Sequence, residues 1–282
     1  MSGPVGERVT RRRRSPSLVT GCVLVGVHVA IAVLTLVWTP YTPSDTSGDR
    51  LEEPSVEHVL GTDRLGRDLT TRIMVGGRMA LTVGFGSVGV GALLGITAGV
   101  VAAFATRFLD DTLAAVLDIL IAFPTLLLAM LVVAAQGGGS LGGAILAIGI
   151  AIAAVLARLT RIVTKRVLSA DYVTAARTSG TSWLRVVIRH VLPNIWPILV
   201  VNLSLQFGRA IIAEASLSYL GLGPPPPNIS WGSMLQEAQG TVFVAPIGAI
   251  APGIALVMLV IGMNFIADGL RDVLDPTQGE GE

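Results

Sequence analysis

Residues 171–194 read DYVTAARTSGTSWLRVVIRHVLPN, a polar stretch between long apolar runs. Its internal pattern decides the fold. Ser169 and Asp171 stand where a helix start takes a capping oxygen and a negative charge. Leu168, Tyr172, Ala175 and Ala176 share one face at helical spacing. Gly180 marks a stop, because glycine enters the left-handed region at little cost. Thr181 or Ser182 can cap a second helix, in which Trp183, Leu184, Val187, Ile188 and Val191 form an apolar stripe opposite Arg185 and Arg189. Pro193 closes that helix just before the next apolar run. The stretch predicts a short helix, a glycine turn and a second amphipathic helix held at a membrane surface.

The flanks supply the membrane. The chain is 52% hydrophobic and 14% charged, with mean hydropathy +0.72, whereas a soluble domain carries about 25% charged residues. A net charge of +1 gives no reason to expect nucleic acid as a partner. The single cysteine, Cys22, rules out a disulfide framework and a cysteine-based metal site. The single lysine, Lys165, lies in IVTKRV, so the chain has no GxxxxGK[ST] phosphate loop and is not by itself a P-loop ATPase. No catalytic, cofactor-binding or metal-ligating constellation stands out.

Going outward from 171–194, the pattern predicts an all-α integral membrane protein with six transmembrane helices. Residues 1–17 form a basic tail with Arg8 and Arg11 to Arg14, and 18–38 an uncharged first span ending at the interfacial anchors Trp38 and Tyr41. A basic tail before an apolar run resembles a secretory signal, but no small-x-small cleavage site follows, so the helix is expected to be retained. His28 within it is expected to pack against a neighbouring helix. Residues 39–78 read as a polar loop, and 79–267 as the main transmembrane unit. Its spans fall at about 79–104, 112–135, 141–163, 195–216 and 246–267, with a coupling loop at 164–194 and a tail at 268–282. Gly91, Gly95 and Gly99, four apart, leave a bare face for close helix contact.

Basic residues set the orientation. Arg8, Arg11 to Arg14, Arg107, Arg271 and the cations between Arg158 and Arg189 all share the side of 171–194. That side, with both termini, is expected to be cytoplasmic, leaving loops 39–78 and 217–245 outside. In the outer loops, GTDRLGRD (61–68) offers Asp63, Arg64, Arg67 and Asp68 for local pairing, Pro224 to Pro227 stiffen the chain, and Trp231 suits an interfacial anchor. The sequon Asn228-Ile-Ser230 reads as chance.

Charges at membrane depth are costly, by about 2.5–3.5 kcal/mol each on insertion scales. Asp118 in the third span and Arg158 and Arg161 in the fourth are expected to form an ion pair, structural in one reading and gating in the other. Asn202, Gln206 and Arg209 follow one face of the fifth span, with Glu214 five residues on, and are expected to line a translocation pathway or a subunit contact.

Four segments in order resemble one family: Ala175-Ala176, Gly180 and Leu192-Pro193; GTDRLGRD (61–68); EASLSYLGLG with SWGSML (214–223, 230–235); and DGLRDVLDP (268–276). They look like the C-type permease subunit of the dipeptide, oligopeptide and nickel ABC importers. The resemblance covers roughly 58–276 and implies the type I ABC importer permease fold. It also implies a homologous second permease, an external solute-binding protein, and two ATPase subunits that bind ATP and magnesium and take the 171–194 element in a groove. The coupling residues it implies are Asp171, Tyr172, Thr174, Ala175, Ala176, Gly180, Leu192 and Pro193. The family carries a glutamate before the two alanines where this chain has Thr174; Asp171 can supply the negative charge instead. The implied location is a bacterial cytoplasmic membrane, and the implied cargo a di- or oligopeptide, with nickel or another small solute as the alternative. A gradient-driven secondary transporter using Asp118 and Glu214 as proton sites is the rival from another class. The lack of a recognisable inverted repeat counts against it.

Overall fold

The computed structural model describes residues 15–274. The basic tail before Ser15 and the end of the DGLRDVLDP motif lie outside the described residues. The first helix, α1 (Pro16–Leu34), has Pro16 in its first turn, where the missing N–H costs nothing. It ends four residues before Trp38. The second, α2 (Leu69–Ala103), starts ten residues earlier than the polar reading of 39–78 allows, because the Asp68 side chain accepts from the Thr71 N–H and caps it. The third span is broken. Phe123 and Pro124 separate α3 (Arg107–Ala122) from α4 (Thr125–Ala135), and the pair bends by 93°.

The remaining elements are α5 (Leu141–Leu168), α6 (Asp171–Thr178), α7 (Trp183–Val186), a π-helical turn (Val187–Val191), α8 (Leu192–Tyr219), the short outer helix α9 (Trp231–Ala238) and α10 (Ile247–Leu274). From Trp183 to Tyr219 the helix is continuous, so Pro193 does not end it. The wide turn at 187–191 comes just before Pro193, where a normal α-turn would drive the proline ring into the carbonyl four residues back. The Asn194 side chain donates to the His190 carbonyl at 2.6 Å.

Helix directions settle how the broken span runs. A Cβ at Gly91 would meet Ile152, at Gly95 Ala153, and at Gly99 Ala157, so α2 and α5 advance together and are parallel. The chain must cross back between them, and the α3–α4 pair makes that crossing. With it, the described chain has six candidate membrane crossings. Helices α1 and α10 are antiparallel: Gly21 lies against Ile266 and the Gly262 carbonyl, and His28 Nε2 is 3.1 Å from the Ala255 carbonyl. His28 is packed between helices, with its other ring nitrogen 2.8 Å from the Leu24 carbonyl.

Three apolar clusters hold the bundle. One joins α1, α2, α8, α9 and α10 around Phe207, Ile211 and Trp231. The second joins α2, α4, α5 and α8 around Val83, Ile148 and Leu217. The third sits at the end that carries 171–194. The outward faces, with residues such as Leu93, Val101, Phe108 and Ile261 exposed, are apolar, as a lipid-facing surface requires.

Candidate functional site

The 171–194 element is built on Val173. Its side chain is buried against Val186, Val191, Ile195 and Leu199, with Ile96 of α2 and Leu159, Val163 and Val167 of α5 packed around them. The element therefore rests on the ends of three spans at once. Val173 lies opposite the ridge of Asp171, Ala175 and Thr178 on the α6 wheel, so that ridge is exposed. Tyr172 and Thr174 are also exposed, and Ala176 is only half so. Ser169 does not cap α6: it ends α5, donating to the Arg166 carbonyl at 2.9 Å.

The turn is a Schellman motif. Gly180 has φ +85°, its N–H donates to the Arg177 carbonyl at 3.0 Å, and the Thr181 N–H donates to the Ala176 carbonyl at 3.1 Å. Nothing lies within 4 Å of where a Gly180 Cβ would stand, so backbone conformation alone requires glycine here. Arg177 closes the turn from the side. Its guanidinium donates to the Thr181 carbonyl and lies 4.1 Å from the centroid of the Trp183 ring. Phe104, just past the end of α2, meets the same ring edge-on at 5.2 Å. The expected apolar stripe of the second helix is not its buried face. Val186 and Val191 point inward, whereas Trp183, Leu184 and Ile188 are exposed. Leu192 and Pro193 lie inside the helical run that joins α7 to α8, which is interrupted by the π turn and carries a second internal proline at Pro197.

The residues expected to line a pathway are not brought to one surface. Arg209 is exposed and Asn202 half so, but Gln206 and Glu214 are buried, with 2% and 1% of their surface accessible. Five residues are about 140° of helix, which turns Glu214 away from Arg209. It accepts from Ser218 Oγ at 2.7 Å, beside α9. Gln206 sits just inside the packed edge of the stripe, and its Nε2 has no partner among the described residues.

The charges of α3 and α5 pair in two sets. Arg158 lies 3.0 Å from Asp118, both about half exposed, at 51% and 55%. Arg161 does not share Asp118. It donates to the buried Asp110 at 2.5 Å, and Lys165 bonds the other oxygen of that carboxylate. Asp110 is two turns closer to the end of α5 where both cations lie.

At the opposite end the GTDRLGRD loop forms an ion cluster. Asp63 accepts from Arg67 Nε at 2.6 Å and from Arg72. Glu237 of α9 takes Arg72 through both oxygens, at 2.8 and 3.1 Å, and Arg67 at 2.5 Å. Burial pushes both carboxyls up, but hydrogen bonds and neighbouring positive charges together outweigh it and hold both below their ordinary values. For Asp63 these are the N–H groups of Arg67 and Leu65, then both guanidiniums. For Glu237 they come from Arg72, then Arg67. Asp68 pairs with His58 Nδ1 at 3.0 Å, while Arg64 is exposed. Trp231 is no interfacial anchor. It is 2% exposed, donates to the Ile73 carbonyl at 3.0 Å, and sets the Nε1 edge of its ring against Gly76 and Gly77. Beside this cluster α2, α9, loop 221–229 and the tip at 139–141 enclose a cavity of about 860 Å³.

Residues 95–279 match the family described as binding-protein-dependent transport system inner membrane components. Along 97% of its length the chain is 35% identical to the dipeptide transport system permease protein DppC of Alkalihalophilus pseudofirmus, covering 90% of it. It is 41% identical to a putative peptide transport system permease protein of Brucella suis, again over 97% of the chain and 92% of that protein. It is also 39% identical to the glutathione transport system permease protein GsiD of Pectobacterium atrosepticum, covering 90% of this chain and 86% of that one. Among solved structures, the MetNI methionine ABC transporter in an inward-facing form superposes with TM-score 0.61. The match covers 72% of this chain and 97% of that one at 20% identity. It is a likeness of fold.

Proposed function

The chain belongs to the family of binding-protein-dependent transport system inner membrane components, and on that footing we propose that it is the permease subunit through which an ABC importer takes up short peptides. It is a multi-pass membrane protein. Its cargo class follows the relatives named for dipeptide, peptide and glutathione transport. The observation that carries the mechanism is the form of 171–194. A short exposed helix is seated on the ends of three spans, and past the Gly180 turn one continuous helical run leads from Trp183 into α8.

In this reading the side carrying α6 is cytoplasmic, and both termini share it. An ATPase subunit holds the exposed ridge Asp171, Ala175 and Thr178 in a groove, with Tyr172 and Thr174 at its margin. Closing of the two ATPases on ATP and magnesium shifts α6. Val173 and the Arg177–Trp183–Phe104 stack pass that shift to α5, α8 and α2. The energy thus enters from another chain, and this one performs no chemistry. Asn202 and Arg209 face the homologous second permease and the pathway, because an exposed arginine at that depth is not stable against lipid. Gln206 and Glu214 are buried within this chain and take no part in that face. The external binding protein delivers cargo at the end that carries the ion cluster.

The test is ATP dependence. Proteoliposomes holding the assembled importer take up labelled dipeptide only with ATP inside and binding protein outside, and vanadate stops uptake. Uptake that follows an imposed proton gradient and ignores vanadate would establish the gradient-driven alternative instead.

A further inference from the structure

We propose that the outer cavity is where the peptide first meets this subunit, and that Arg78 receives its carboxylate. The inference rests on the reading of the chain as a peptide permease and assigns that cargo a site. The cavity holds about 860 Å³, toward the upper end of ordinary small-molecule pockets of about 300–1,000 Å³. It opens at the end opposite the coupling element. Protein walls it on both sides: α2 on one, the run Pro224 to Pro227 and α9 on the other. It is a half-open pocket with protein on two sides.

Its charge is uneven in a way that selects a ligand. Three arginines line it, Arg67, Arg72 and Arg78. The first two are consumed by Asp63 and Glu237 in the ion cluster, two cations against two carboxylates. Arg78 is exposed, and among the described residues no carboxylate lies within ion-pair distance of it. It stands six residues further along α2 than Arg72, about 9 Å deeper. The remaining polar lining, which includes Thr82, Ser218, Asn228, Ser233 and Gln236, is neutral apart from Glu237, and the ion cluster already holds that carboxylate. One unspent guanidinium among neutral donors and acceptors is what a short peptide needs: a fork for its carboxylate and hydrogen-bonding groups for its amides. The same lining repels a bare metal cation.

The cluster above explains why Arg78 stays available. Without Asp63, Arg67 or Arg72 would compete for the carboxylate at the rim. Without the two arginines, Glu237 would turn to Arg78. Trp231, wedged on Gly76 and Gly77, fixes the α2 turn that presents Arg78.

The test compares Arg78→Gln and Arg78→Lys in the reconstituted importer. Binding of the unliganded binding protein to the complex is measured first, then dipeptide uptake per ATP hydrolysed. Arg78→Gln is expected to leave that binding within twofold and to cut uptake at least roughly tenfold, the worth of a charge-assisted hydrogen bond. Arg78→Lys, which keeps the charge and loses the fork, is expected to fall between. If Arg78→Gln weakens docking of the unliganded binding protein tenfold, Arg78 grips that protein and the proposal is wrong. Uptake within twofold of normal in Arg78→Gln, or equal loss in both variants, also overturns it. A native complex that carries another solute but no dipeptide sinks the peptide reading, and this proposal with it; native dipeptide uptake with indifferent variants sinks this proposal alone.

Discussion

Placing alanine at Gly95 or Gly99 sets two effects of known sign against each other. In an open helix, glycine to alanine stabilises by about 1 kcal/mol. At Gly95 the added Cβ would lie 2.6 Å from the Ala153 carbonyl oxygen and 2.8 Å from the Leu156 Cβ; at Gly99 it would lie 2.5 Å from the Ala157 carbonyl oxygen. Those oxygens belong to the α5 backbone and cannot turn aside, so the helices must part by about 0.8 Å to reach ordinary contact. Overpacking of this kind costs about 1–3 kcal/mol, and the loss outweighs the gain. Gly89 is the internal control, because it lies on the same helix with nothing within 4 Å of its Cβ position. Thermal unfolding in detergent should therefore rank Gly89→Ala at or above the native chain, and Gly95→Ala and Gly99→Ala below it. If the three variants shift together, α2 and α5 do not pack through this face and the parallel pairing is wrong. The crossing assigned to α3–α4 would fall with it.

Other consequences are nearer the charges. Asp63 and Glu237 sit below their ordinary values of 3.8 and 4.5 in the folded chain. Their contribution is therefore full above about pH 5, begins to fall at those ordinary values and is lost as pH drops further, through the lower values the groups hold in the folded chain. The unfolding midpoint should drop steeply there, and the combined change Asp63→Asn with Glu237→Gln should flatten the curve; an unchanged slope would show that the cluster contributes nothing. Asp110→Asn leaves the part-buried Arg161 and Lys165 without their shared carboxylate, and should cost about 1–2 kcal/mol. Asp118→Asn removes a half-exposed pair and should cost about 1 kcal/mol or less. Comparison of the two midpoints checks this, and the reverse order would refute it. If Asp118→Asn assembles normally but abolishes uptake, the pair is a gate rather than a brace.

The six crossings, the α6–turn–α7 element and the close-packed glycines of α2 were legible in residue pattern, because each rests on local spacing. The bent third span had its signal too, in Pro124. The start of α2 was hidden because Arg72 and Arg78 look like loop residues to a hydropathy window, though Asp68 with Thr71 is a readable cap. What spacing could not supply was partnership across the chain. Glu237 and Arg72 are far apart in sequence, and nothing local says that they meet. Trp231 looks interfacial until Gly76 and Gly77 are brought beneath it. Likewise the stripe Asn202, Gln206 and Arg209 is regular, but periodicity does not say which edge of it α2 and α5 cover.

The central claim is that an ATPase engages the exposed ridge of α6, and Ala175 is its test position. Ala175 points away from Val173 and the cluster beneath it, so Ala175→Trp should leave the spans inserted and the unfolding midpoint unchanged. This variant, purified with its partners, is expected to lose the bound ATPases or to hydrolyse ATP without moving dipeptide, with uptake down at least tenfold. Normal uptake with a tryptophan on that ridge would contradict it.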